Sequence, residues 1–187
     1  MKVKVTAILM IALFAVSASA GTGLKLSAVT GYSMTAFEDQ DDAAGTLPIG
    51  VQVGKQLKPA LEVGVEVIFP LGGYTFEAEE MGLKLTSTFN QSLIGAYGKY
   101  SFGEGRLKPY AKAGVGYYSG NADLELEVLG ESASEEVEIE SAVGFSVGVG
   151  VACSKSGLFG EFVYNLVTRE DMGMNTWAVL IGYQILK

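Results

Sequence analysis

The residues with the clearest chemical potential are six charged side chains that share strand faces with glycines. Three are lysines and three are glutamates, and each stands in an alternating apolar run. Charged groups withdrawn from water persist only when they are paired. The set could therefore neutralise itself as a network of ion pairs, or it could line a path for ions. These residues are Lys25, Glu62, Glu66, Lys99, Lys112 and Glu161.

Catalytic chemistry finds little support in the sequence. Glu62 and Glu66 could be imagined as the carboxylate pair of a glycosidase, but nothing near them forms a sugar-binding cleft. The chain has no histidine, so a serine nucleophile would lack its conventional base and a histidine-based metal site is excluded. We expect no enzymatic activity, no cofactor and no metal. The single cysteine, Cys153, is expected to be a small apolar strand residue.

The first 20 residues have the pattern of a cleavable signal peptide. Lys2 and Lys4 precede an apolar stretch over residues 5–16, and residues 18–20 supply the small side chains of a cleavage site. The apolar stretch is shorter than the about 20 residues that a transmembrane helix needs. Cleavage would leave residues 21–187 as one domain with 11 basic and 21 acidic residues, a net charge of −10. So acidic a domain is not expected to bind nucleic acid.

Eight runs of alternating residues follow the signal peptide. Their period of two is typical of strands that bury one face, and tight turns containing glycine or proline alternate with longer connections. This predicts an all-β fold, an eight-stranded antiparallel up-and-down transmembrane β-barrel. The predicted strands cover residues 23–34, 47–57, 60–69, 89–102, 107–119, 137–153, 158–168 and 175–187. The longer connections cover residues 35–46, 70–88, 120–136 and 169–174.

Glycine decides which strand face meets lipid. A soluble lipocalin-like barrel also alternates, but its apolar face turns inward around a ligand. Here the non-apolar face is rich in glycine, which would weaken a strand and cover nothing if it faced water. The apolar face is therefore predicted to face lipid, and the six charges are predicted to lie in the lumen. We favour a salt-bridged plug over an ion path, because about eight strands leave room only for side chains.

The longer connections are strongly acidic. Hard divalent cations prefer oxygen ligands, so calcium or magnesium could bridge the connections to lipopolysaccharide phosphates, but we favour a solvated, repulsive surface. Residues 123–127 and 136–140 both alternate, which predicts a hairpin beyond the membrane whose edge could recruit a partner by strand addition. The acidic residues are Glu38, Asp39, Asp41, Asp42, Glu77, Glu79, Glu80, Asp123, Glu125, Glu127, Glu131, Glu135, Glu136, Glu170 and Asp171.

The chain resembles the small eight-stranded outer-membrane barrels of the OmpX/Ail and OmpA-barrel type. The resemblance covers the mature chain and rests on its alternating strands and its short and long connections. The end of the chain also matches part of the insertion signal of such barrels, at Gly182 and Ile185. The resemblance implies a monomer that is exported through the periplasm into the outer membrane of a Gram-negative envelope, in contact with membrane lipid and lipopolysaccharide.

The function expected from these features is that of a non-enzymatic barrel with a closed lumen. Its acidic extracellular loops would serve envelope integrity or bind a surface protein. One alternative is a narrow channel for ions or small solutes. Another is a soluble periplasmic lipocalin-like barrel that binds an apolar ligand.

Overall fold

The computed structural model describes residues 23–37, 43–80, 83–128, 131–168 and 174–186. The predicted signal peptide lies outside these residues, as do Glu38, Asp39, Asp41, Asp42, Glu170 and Asp171 of the first and fourth predicted loops. Among the described residues, no helix is long and apolar enough to cross a membrane. The strands are β1 (Leu24–Phe37), β2 (Ala43–Lys58), β3 (Leu61–Leu71), β4 (Tyr74–Glu80), β5 (Leu83–Ser101), β6 (Leu107–Val128), β7 (Glu131–Cys153), β8 (Leu158–Val167) and β9 (Met174–Leu186).

Eight of these strands close into a ring. They follow the order β3-β2-β1-β9-β8-β7-β6-β5, and β5 pairs back onto β3 from Tyr100 opposite Leu61 to Leu93 opposite Ile68. All of these pairings are antiparallel. The predicted all-β, eight-stranded antiparallel barrel is confirmed.

β4 stands outside the ring and pairs with the outer part of β5. The chain leaves β3 through Gly72 and Gly73, whose φ angles of 84° and 69° belong to the left-handed region that glycine adopts readily. The ring therefore ends at Leu71 on this strand, and the chain continues into a separate pairing with β5.

The two faces of the barrel strands differ as the alternation predicts. On β7, Phe145 and Val147 are 63% and 53% exposed, whereas Ser146 between them is 6% exposed. The exposed apolar residues cover the outside of the barrel, a surface suited to hydrocarbon. Exposed aromatic residues lie toward both ends of this surface, where such rings sit at membrane interfaces. They include Tyr32 and Tyr117 at the end away from the tight turns, and Phe102 and Tyr183 near the turns.

Two of the predicted long loops are instead β-sheet. The segment predicted as a loop over 70–88 contains β4 and the start of β5. In the segment over 120–136, residues 120–128 belong to β6 and residues 131–136 belong to β7. A hairpin is present in this region, but the predicted pairing of residues 123–127 with 136–140 is wrong. Residues 123–127 pair with 132–136, and residues 136–139 pair with 120–123, because the strands pair up to Val128 opposite Glu131. The loop boundaries were wrong because they followed the lipid-facing apolar residues, whereas the strands continue after that face becomes polar.

Candidate functional site

Lys112 is the centre of a charge network that crosses the lumen. Its ammonium group lies 2.8 Å from Glu66 Oε2 and 2.8 Å from Glu161 Oε1, and all three side chains are at most 3% exposed. Gln52 Nε2 donates to Glu66 at 3.0 Å, and the Tyr110 hydroxyl donates to Glu161 at 3.0 Å. Because Lys112, Glu66 and Glu161 stand on β6, β3 and β8, the network joins strands that are not neighbours in the ring.

A second layer of charges surrounds Glu62, nearer the tight turns. Lys25 Nζ lies 2.7 Å from Glu62 Oε2, and Lys99 Nζ lies 3.6 Å from Glu62 Oε1. The ammonium of Lys99 also lies 4.7 Å from the ring centre of Tyr110 and 5.1 Å from that of Phe159. An aromatic face attracts a cation through its quadrupole. The Glu62 carboxylate therefore forms ion pairs with two lysines. Aromatic rings contact the ammonium of Lys99 on its other sides.

Two glycines make room for Tyr97, whose hydroxyl donates to Glu62 at 3.2 Å. A Cβ atom at Gly54 would lie 2.7 Å from that hydroxyl and 2.7 Å from Glu62 Oε1, and one at Gly64 would lie 2.6 Å from the same hydroxyl. These separations are below any that real Cβ atoms adopt. The aromatic ring of Tyr97 can extend into the bore because Gly54 and Gly64 carry no side chain that would occupy its place.

All six of the predicted lumenal charges lie inside the barrel, in the two layers around Lys112 and Glu62. The sequence prediction left out several polar residues that share the lumen with them. Lys108 and Tyr110 precede Lys112 by four and two positions on β6, so the strand period alone would have placed both on the lumenal face. Gln52 and Tyr97 also belong to the network.

Two cavities of the lumen lie on opposite sides of the Lys112 layer. The outer cavity has a volume of about 50 Å³ and lies against Glu66, Tyr74 and Lys112. The hydroxyls of Tyr74 and Ser33 share a hydrogen bond of 2.7 Å across this end of the barrel. The inner cavity, of about 300 Å³, lies against Glu62, Lys99 and residues of the tight turns.

A four-stranded sheet projects beyond the barrel, and we call it the projecting sheet. It consists of β4 with the outer ends of β5, β6 and β7. Counting in twos from the exposed Tyr117, the carboxylates of β6 fall on the continuation of the outer surface, and the leucines that alternate with them fall on the continuation of the lumenal face. The carboxylates are Asp123, Glu125 and Glu127, and the apolar residues are Leu124, Leu126 and Val128.

The outer face of the projecting sheet is strongly negative. Glu136 on β7 stands opposite Asp123, so two like charges face each other across the strands. Lys84 forms an ion pair with Glu77 at 3.2 Å, with both side chains well exposed. Within the described ranges, no group of three or more histidine, cysteine, aspartate or glutamate side chains is arranged to hold a metal ion. The face thus presents a concentration of negative charge to the surroundings.

The sequence matches the family model of the outer membrane protein beta-barrel domain over residues 6–184. The structure is similar to that of Neisserial surface protein A (NspA), with a TM-score of 0.57 and 14% identity over 88% of this chain and 98% of that chain. It is also similar to Ail, the attachment invasion locus protein of Yersinia pestis, with a TM-score of 0.53 and 16% identity over 88% of this chain and 99% of that chain.

A structure of Ail in complex with the heparin analogue sucrose octasulfate is similar as well. Its TM-score is 0.52, with 16% identity over 87% of this chain and 97% of that chain. At these levels of identity the likeness to NspA and Ail establishes the fold alone. No curated protein matches the sequence significantly.

Proposed function

The chain belongs to the family of outer membrane protein β-barrel domains, and we propose that it is a closed, non-enzymatic barrel that presents an acidic sheet at the cell surface. It resides in the cell outer membrane, as predicted from the resemblance to the OmpX/Ail type, and this location excludes the soluble lipocalin-like alternative. Short turns of such barrels face the periplasm, and their longer connections face outward. We further propose that residues 1–20 are a signal peptide and that the barrel is a monomer.

The contact of Lys112 with Glu66 and Glu161 supports a closed lumen. The three side chains come from different walls of the bore and exclude solvent from one another. A hydrated ion could pass only if Lys112 left both carboxylates, and this movement would leave three buried charges without their partners, which is costly. The structural role that we propose for the six charges is therefore to fill the bore and to neutralise one another.

The absence of histidine from the chain supports a non-enzymatic role. The carboxylates of the lumen already accept hydrogen bonds from lysine, glutamine and tyrosine. Glu66 and Glu161 in particular are held by the same ammonium group. A carboxylate held in this way is a poor candidate for a general base or nucleophile.

The acidic face of the projecting sheet supports an interaction at the cell surface. Complementary charge attracts a partner and guides its approach, so we propose that the partner is a protein with a basic surface. The ligand in the structure of Ail, sucrose octasulfate, is negatively charged, unlike the basic partner proposed here. The carboxylates around Asp123 would repel it. Lipopolysaccharide and membrane lipid surround the barrel itself.

Neutralising this face tests the proposal. We expect the barrel in nanodiscs of zwitterionic lipid to bind fluorescent polylysine saturably, and to bind it more weakly as salt screens the charges. A variant with Glu77→Gln, Asp123→Asn, Glu125→Gln and Glu136→Gln should lose this binding. The matched control changes Thr86 and Ser134, the neutral residues opposite Glu125, to asparagine and should bind as the wild type does. Equal binding by the neutralised variant, or preferential binding of sucrose octasulfate, would contradict the proposal.

A further inference from the structure

The inner cavity carries an unbalanced charge. Lys25, Lys99 and Lys108 line it, and Glu62 is the carboxylate that lines it with them. Lys25 and Lys99 share Glu62. Among the described residues, no carboxylate lies within 4.0 Å of the Lys108 ammonium. Three ammonium groups around one carboxylate leave a surplus of two positive charges.

The neighbouring layer removes only part of this surplus, because it holds two carboxylates and one ammonium group. Glu66 and Glu161 both lie 2.8 Å from Lys112, so one negative charge of that layer is not balanced within it. Taken together, the two layers and Lys108 keep an excess of one positive charge among the described residues. Neutral hydrogen-bonding groups complete the cavity wall, since the hydroxyl-bearing residues Ser27 and Ser101 line it as well. The cavity therefore combines excess positive charge with donors that can contact an oxyanion.

The position of the cavity makes it accessible from the periplasm. Its wall includes Pro59, Ser154 and Gly157 of two tight turns, and such turns face the periplasm in this family. Its volume of about 300 Å³ is at the lower end of the range for small-molecule pockets, about 300–1,000 Å³. The outer cavity, at about 50 Å³, has no comparable space.

We propose that the inner cavity, which we call the periplasmic vestibule, binds the phosphate group of a small solute. Lys25, Lys99 and Lys108 bound this vestibule. Lysine binds phosphate as a point charge and does not require the planar geometry that arginine imposes. A phosphate anion would neutralise the excess positive charge without moving Glu62. Free phosphate and phosphate esters share this chemistry, and they differ in whether the remaining part of the ester finds contacts in the vestibule.

The proposal is tested by titrating the barrel with phosphate while the side-chain nitrogens of ¹⁵N-labelled lysines are followed by NMR. Chloride holds the ionic strength constant, and glycerol phosphate replaces inorganic phosphate in a parallel series. We expect saturable shifts at Lys108 and Lys99 and none at Lys155, which is exposed in a tight turn. Tighter binding of glycerol phosphate would identify an ester as the natural ligand, and equal binding would identify the phosphate group alone.

Variants separate a specific site from general attraction to a basic surface. Lys108→Gln should weaken phosphate binding about tenfold, which corresponds to about 1.4 kcal/mol, while Lys108→Arg should preserve it. Glu62→Gln should tighten binding because it removes the competing carboxylate. Lys155→Gln should leave binding unchanged. Absence of a saturable shift, or equal losses in the Lys108→Gln and Lys155→Gln variants, would overturn the proposal.

Discussion

Replacing Lys112 with methionine is expected to lower the free energy of unfolding by about 3–5 kcal/mol, the range for removing one partner of a buried ion pair. Methionine has a similar length and fills much of the same space, so the loss comes from charge and not from a cavity. The substitution leaves the carboxylates of Glu66 and Glu161 facing each other without the ammonium that lies 2.8 Å from each. Urea unfolding of the barrel in liposomes measures the change.

Two further variants show whether the loss belongs to the network. Adding Glu66→Gln and Glu161→Gln to Lys112→Met removes the uncompensated charges, so the triple variant should recover part of the lost stability. Lys155→Met, at an exposed turn position, should leave stability almost unchanged. If Lys112→Met were as stable as the wild type, the charges of the lumen would have no structural role.

Val147→Arg is expected to lower the free energy of unfolding by about 2–4 kcal/mol, the cost of an arginine on the lipid face at the middle of the bilayer. Val147 is 53% exposed and lies between Phe145 and Val149, which are exposed on the same face of β7. The cost arises because arginine must either enter hydrocarbon or draw water and headgroups toward itself. The same liposome titration measures this change.

A matched substitution on the same strand separates depth in the membrane from side-chain size. Glu138→Arg places an arginine on the outer face of the projecting sheet, beyond the exposed aromatic residues Tyr32 and Tyr117. This substitution should have little effect on stability. Val147→Leu keeps the apolar character and should also be tolerated. Equal unfolding free energies for Val147→Arg and Glu138→Arg would mean that the lipid-facing surface has been placed wrongly.

The lipid-facing part of the fold could be predicted because lipid restricts the outer face to apolar residues. The prediction for β8, residues 158–168, differs from the observed Leu158–Val167 by one residue. Apolar outward residues no longer mark the strand beyond the membrane, since Asp123 and Glu125 occupy outward positions of β6, which continues to Val128. There the strand is recognised by the inward leucines, and not by the outward residues.

The site could be predicted as a set of residues but not as a set of contacts. Alternation places Lys112, Glu66 and Glu161 on the inner face, yet it gives no height along the bore. The stagger between neighbouring strands fixes the heights in a closed barrel, and the pairing of β3 with β5 sets where Glu66 stands. Lys108 follows from the same alternation, and counting in twos along β6 from Lys112 identifies it.

The most direct test of a closed lumen is single-channel recording from the purified barrel in a planar bilayer. The ion pairs around Lys112 predict no steady conductance for the wild type or for the Lys155→Met control. A steady wild-type conductance whose ion selectivity changes with Lys112→Met would contradict the closed lumen and would identify the protein as a narrow channel.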